Sequence, residues 1–200
     1  KNCYTFAQPP NNKVQQDTII EKYLKNGAYK YHYILQGWDD NINLALKQDS
    51  TIAMLWQQKA IPYWKTKKYS LAVACYDKAV LYDREKYLGR RGYLKCIFQR
   101  DYTSAISDME LAEKEFGYGY QNDHSYSFYI SLCYLQLNEF DKAERILQND
   151  FNKTTKEHGE NWIHFLDLFY MGIIHYELRN YDKAIHFFDR TLNTYNNFSD

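Results

Sequence analysis

Residues 180–192 read NYDKAIHFFDRTL, and three earlier stretches say nearly the same thing. KYSLAVACYDKAV starts at Lys68, DYTSAISDMELA at Asp101 and EFDKAERILQND at Glu139. In the last copy Tyr181, Ala184, Ile185, Phe188 and Leu192 recur at steps of three and four, which is one face of an α-helix. The face returns as Tyr69, Ala72, Val73, Tyr76, Ala79 and Val80, as Tyr102, Ala105, Ile106, Met109 and Ala112, and as Phe140, Ala143, Ile146 and Leu147. The leading aromatics lie 33, 38 and 41 residues apart. A period in this range points to a two-helix unit stacked on its own copies, because one unit cannot bury its apolar face alone.

A second helical stretch precedes each copy: TIAMLWQQKAIPYWKTKK, KYLGRRGYLKCIFQR, SYSFYISLCYLQLN and WIHFLDLFYMGIIHYELRN. Thr66-Lys67-Lys68, Asn138-Glu139 and Arg179-Asn180 are the tight turns expected between antiparallel helices. Asp83 is placed to cap the unit that follows it, and Pro62 predicts a kink inside a first helix. The longer spacings put extra residues in FGYGYQND and NDFNKTTKEHGEN, which read as extended loops between units. Trp38, Ile42, Ala45 and Asp49 stand 34 residues before Ala72, Tyr76, Ala79 and Asp83, so a divergent helix pair is expected over 17–49. The expected organisation is a flexible leader, 1–16, and a single helical-repeat domain, 17–200. Its units are the pair 17–49 and repeats at about 52–84, 85–117, 123–151 and 161–195.

Composition bounds the function. Lys plus Arg equals Asp plus Glu, at 25 each, so the chain lacks the cation excess that phosphate binding needs, and nucleic acid is not expected as the main partner. No run approaches the roughly 18 apolar residues of a membrane span. Tyrosine is abundant, at 21 of 200, and its apolar body and polar tip suit half-buried binding surfaces. Cys75, Cys96 and Cys133 fall in apolar helical patterns and read as buried free thiols, with a Cys75–Cys96 disulfide as the alternative.

The chemistry-bearing motifs are missing. None of the six histidines forms HExxH, and there is no P-loop, dinucleotide fingerprint or GxSxG. His158, Glu160 and His164 are spaced to meet around a loop, although a solvated loop is the simpler reading, and His175 reads as a satisfied core histidine. The expectation is therefore no enzyme, no cofactor and no metal. Tyr4-Thr5-Phe6-Ala7-Gln8 is similar to the tail of a secretory signal peptide, but no apolar segment precedes it. A signal remnant and an unstructured leader both fit, so cytoplasm and periplasm or cell envelope both stay open, as does processing at Cys3. No polar capping helix follows the last unit before YNNFSD, so its face is covered by a partner, by a second copy through self-association, or by further chain.

Leu168, Met171-Gly172, His175, Ala184 and Phe188 in the last unit, and Trp56, Ala60, Tyr63, Ala72, Tyr76 and Ala79 in the first, carry a resemblance to the tetratricopeptide repeat (TPR) over about residues 50–195. The resemblance implies an all-α, right-handed α-solenoid of antiparallel helix pairs, a TPR-like superhelix. It further implies a non-enzymatic module that binds a peptide or protein segment in a concave groove lined by the first helices. By helical phase that groove would present Gln57, Ile61 and Trp64, then Arg90, Arg91 and Leu94, then Phe128 and Leu132, then Phe169, Ile173 and Tyr176. Gln57 and Ile61 stand where a carboxylate-clamp subtype would need Lys and Asn, which argues against an adaptor for chaperone tails. An envelope assembly or scaffolding protein, and a sensor or regulatory repeat domain of a longer protein, are the alternatives.

Overall fold

The computed structural model describes residues 10–194, and the side chains from Lys13 onward. Cys3, the signal-like stretch and the YNNFSD segment lie outside the described residues. Over the described residues the fold is all-α apart from one two-stranded hairpin. The chain divides into two compact units, one up to Tyr87 and the other from Leu88.

In the first unit, helix α1 (Pro10–Ile19) runs on as a π-helical turn over Ile20–Lys25, and α2 (Gln36–Gln48), α3 (Ala53–Lys65) and α4 (Tyr69–Tyr82) follow. Residues 10–16, expected to belong to a flexible leader, are helical. Proline at the first helical position starts a helix without losing a needed donor. Gln16 Nε2 then ties α1 down by donating to Asp49 Oδ2 at 2.9 Å and Thr51 Oγ1 at 3.2 Å. Burial raises the Asp49 pKa, but hydrogen bonds from Thr51 and Gln16 outweigh it and leave the carboxyl below its usual range. Trp38, Ile42 and Ala45 are the buried face of α2, packed with Leu24, Ala28 and Leu55. Helix α3 continues through Pro62 to Lys65, and Ala60 on α3 and Ala72, Tyr76 and Ala79 on α4 are buried.

Helix α5 (Arg84–Leu94) starts before the division and runs across it into a π-helical turn, Lys95–Gln99. Then come α6 (Tyr102–Phe116), strands β1 (Tyr120–Gln121) and β2 (His124–Ser125), α7 (Tyr126–Gln136), α8 (Phe140–His158), a 3-10 turn over Glu160–Trp162, α9 (Phe165–Glu177) and α10 (Tyr181–Thr194). The two expected loops are resolved differently. FGYGYQND turns into the antiparallel hairpin, with Tyr120 opposite Ser125 and Gln121 opposite His124. Most of NDFNKTTKEHGEN is helix, because Leu147, Asp150 and Phe151 continue the buried line of α8. One core joins Met109, Cys133, Leu147, Met171 and Ile174. On α10 the buried line is Ala184, Phe187 and Thr191, while Tyr181, Ile185 and Leu192 face solvent. Cys75, Cys96 and Cys133 are buried free thiols.

The turns inside the helix pairs repeat one design. Lys67, Arg100, Asn138 and Arg179 have φ between 58° and 61°, the left-handed region. At three of them the next residue's N–H reaches back five positions: Lys68 to the Tyr63 carbonyl at 2.8 Å, Glu139 to Tyr134 at 2.9 Å, and Asn180 to His175 at 2.9 Å. With the partner bonds Lys67 to Trp64, Asn138 to Leu135 and Arg179 to Tyr176, these are Schellman ends that satisfy the orphan carbonyls of each first helix. Side chains close the helix starts. Lys86 N donates to Asp83 Oδ1 at 3.2 Å, Ser104 N to Asp101 at 3.3 Å, and Phe128 N to Ser125 Oγ at 3.0 Å. Among the described residues no helix is long and apolar enough to cross a membrane.

Candidate functional site

The groove residues separate into three kinds. Leu94, Phe128 and Leu132 are core, at 3%, 3% and 9% exposure, so they offer no surface. A phase error of one residue turns a side chain by about 100°, enough to exchange lining for core. Arg91 is committed within its own unit. Its Nε and Nη2 fork onto Asp108 Oδ2 and Oδ1 at 2.8 and 2.6 Å, and Lys95 Nζ reaches the same carboxylate at 2.8 Å. Arg90, the other cation of the expected basic spot, is exposed.

The rest keep an accessible side. Gln57, Ile61 and Trp64 on α3 are half-buried, whereas Leu55 and Ala60 of the same helix are buried. On α9, Leu168, Met171, Gly172, Ile174 and His175 point into the core. Phe169 and Ile173 are half-buried and Tyr176 is 57% exposed, which makes them one open stripe along that helix. His175 is buried but not satisfied: its Nδ1 has no hydrogen-bond partner, and the ring stacks on Phe187 at 5.4 Å. Burial, then the nearby Lys183, lower its pKa, and Glu144 opposes them.

A second constellation lies in the unit from Leu88, where the two longer connections meet. His124 comes from β2, and its Nδ1 donates to Asp167 Oδ1 on α9 at 2.6 Å. The His124 ring stacks on Phe128 at 4.2 Å and meets Tyr129 edge-on, and those two rings also meet edge-on. His164 caps α9, its Nδ1 accepting from Leu166 N at 3.2 Å, and its ring lies edge-on to His124 at 4.5 Å. Burial and the neighbouring His124 push the His164 pKa down, against the pull of Asp167. Beside them Asp150, buried on α8, accepts from Tyr118 Oη at 2.7 Å and Ser125 Oγ at 2.8 Å. Burial raises its pKa despite those bonds. A cleft of about 40 Å³ is lined by Asp123, Ser125, Asp150, His164 and Asp167, among others.

Sequence spacing suggests a different trio. His158 is exposed and lies against Trp162 at 5.4 Å, and Glu160 pairs with Arg190 at 3.5 Å. Of His158, Glu160 and His164, only the last enters the cluster. Reading the sequence missed His124 and Asp167. The usable signal was that His124 adjoins one of the two segments that break the repeat spacing.

The tetratricopeptide-repeat family profile matches residues 53–86 and again 168–197. The chain is a tetratricopeptide-repeat protein. No curated protein sequence matches it. Among solved structures, it is similar to MamA 41-end from Desulfovibrio magneticus RS-1, at 13% identity and TM-score 0.66, covering 97% of this chain and 100% of that one. Pseudomonas aeruginosa pilF aligns at 18% identity and TM-score 0.64, covering 90% and 78%. YrrB, described as a TPR protein with an unusual peptide-binding site, aligns at 16% identity and TM-score 0.62, covering 92% and 94%. At these identities the likeness concerns the fold. The TPR matches fall on α3–α4 and on α9–α10, the pairs whose motif residues are clearest. TPR modules in general serve protein–protein interaction, and that is the broad class of this chain.

Proposed function

We propose that this TPR protein binds a peptide or protein segment along the accessible face of its first helices. The observation that carries the reading is the open stripe Phe169–Ile173–Tyr176 on α9, a helix whose other face is fully buried. Trp64, Ile61 and Gln57 supply an equivalent half-buried stripe on α3 in the other unit. Aromatics of this kind dominate binding hot spots, since they bury a large area with few rotamers to freeze. YrrB, by its description, binds peptide on the same fold, which agrees with this reading.

The test is selection of binding peptides from a random library on the purified chain, followed by affinity measurement. Phe169→Ala and Tyr176→Ala should each weaken the selected peptides by about tenfold, the cost of removing a hot-spot side chain. Ile185→Ser, on the exposed face of α10, should change little. Equal binding by parent, Phe169→Ala and Tyr176→Ala would remove α9 from the interface.

A further inference from the structure

We propose that His124, His164 and Asp167 bind one divalent transition-metal ion of the Zn²⁺ class, which fastens together the hairpin before α7 and the connection before α9. This inference is independent of the groove. Each of the three residues offers one ligand atom, and these atoms lie within 4.8 Å of one another. In tetrahedral Zn²⁺ sites, with bonds of about 2.0–2.1 Å, ligand atoms stand about 3.4 Å apart. The donors here are close to that value, with His124 Nδ1 and Asp167 Oδ1 2.6 Å apart and no pair beyond 4.8 Å. Side-chain shifts of about 1 Å therefore close the set around an ion.

The donor chemistry selects the ion. Two imidazoles and one carboxylate suit Zn²⁺ and its first-row neighbours, whereas Mg²⁺ and Ca²⁺ take oxygen ligands. The adjoining cleft, at about 40 Å³, has room for an ion with a water but not for an organic ligand. The surroundings are net acidic: Asp123 and Asp150 line the same cleft, and Lys153, the nearby cation, sits over the Tyr118 ring at 3.1 Å. The ligands are also preorganised. His124 stacks on Phe128 with Tyr129 edge-on to it, Asp167 is buried at 8% exposure on α9, and His164 is fixed at that helix's start.

Metal uptake exchanges two hydrogen bonds. His124 Nδ1 and Asp167 Oδ1 turn from each other to the ion, the His124 proton passing to Nε2. The Leu166 N–H bond to His164 Nδ1 is lost whichever nitrogen of His164 ligates, because ligation through Nε2 moves the ring proton to Nδ1. Three coordination bonds outweigh two hydrogen bonds, so the exchange favours the ion.

The experiment uses the full 200-residue chain, stripped by chelator, dialysed and titrated with Zn²⁺ by calorimetry. Co²⁺ absorption provides a second readout. One ion per chain is expected. His124→Gln, His164→Asn and Asp167→Asn should each weaken binding at least tenfold, and His158→Ala, at the exposed histidine nearby, should not. Asn at 164 keeps a capping acceptor, so helicity should persist there. In the unmutated chain, Zn²⁺ should speed hydrogen exchange at the Leu166 amide, a readout that needs no variant. Absence of one-to-one binding, undiminished binding in the ligand variants, or an unchanged Leu166 amide at saturating Zn²⁺ would overturn the proposal.

Discussion

Arg179 stands at φ 59° between α9 and α10, a conformation that costs an L side chain roughly 1–2 kcal/mol. Glycine there relieves that strain but frees the unfolded chain, which costs about 0.4–1 kcal/mol. Arg179→Gly should therefore stabilise the protein by up to about 1 kcal/mol in urea unfolding, whereas a β-branched Arg179→Val should destabilise it. Asn138, φ 60°, already tolerates this region, so Asn138→Gly should gain less. His175 gives a prediction in pH. The fold holds its imidazole neutral, and the unfolded chain titrates near about 6.5. Below that value the unfolded chain takes a proton that the folded chain refuses. Stability should thus fall as pH drops from about 7 towards the lowered folded pKa, then level off. His175→Phe should reduce that slope in urea unfolding compared across this range.

At the scale of elements, the helix pairs depend on a few close approaches. A side chain added at Gly92 on α5 would meet Met109 Cγ at 2.8 Å and the Ala105 carbonyl at 3.3 Å, so backbone as well as side chain stands in the way. At Gly172 the nearest obstacle is the Phe188 ring, at 2.5–3.1 Å. Gly92→Val should cost about 1–3 kcal/mol by overpacking, and Gly172→Ala less, because a ring edge can move and alanine favours helix. Chemical denaturation of both variants would check the order. The repeated phrase made α4, α6, α8 and α10 legible as helices, although on α10 the buried line is Ala184, Phe187 and Thr191 rather than the stripe through Tyr181, Ile185 and Leu192. Phase across partner helices was not legible: Leu94, Phe128 and Leu132 read as groove and pack as core. The histidine cluster was hidden for a related reason. His124 and Asp167 are 43 residues apart, and only the folding of two irregular connections brings them together.

At the scale of the whole molecule, the chain is two compact units of one repeated plan, and each has its own buried thiols. Cys75 lies in the first unit; Cys96 and Cys133 lie in the second, with Cys96 Sγ directed at the Tyr129 carbonyl at 3.7 Å. Burial raises the Cys75 pKa, while the contact with Cys96, then burial, raise that of Cys133. A thiol held protonated and out of water reacts only when its surroundings open. In a Cys3→Ser background these sulfurs are clocks wound by the fold: the rate at which a thiol reagent labels Cys75 times the opening of one unit, and the rate at Cys133 times the other. Prompt labelling of Cys133 in the native protein would show that its surroundings are not closed.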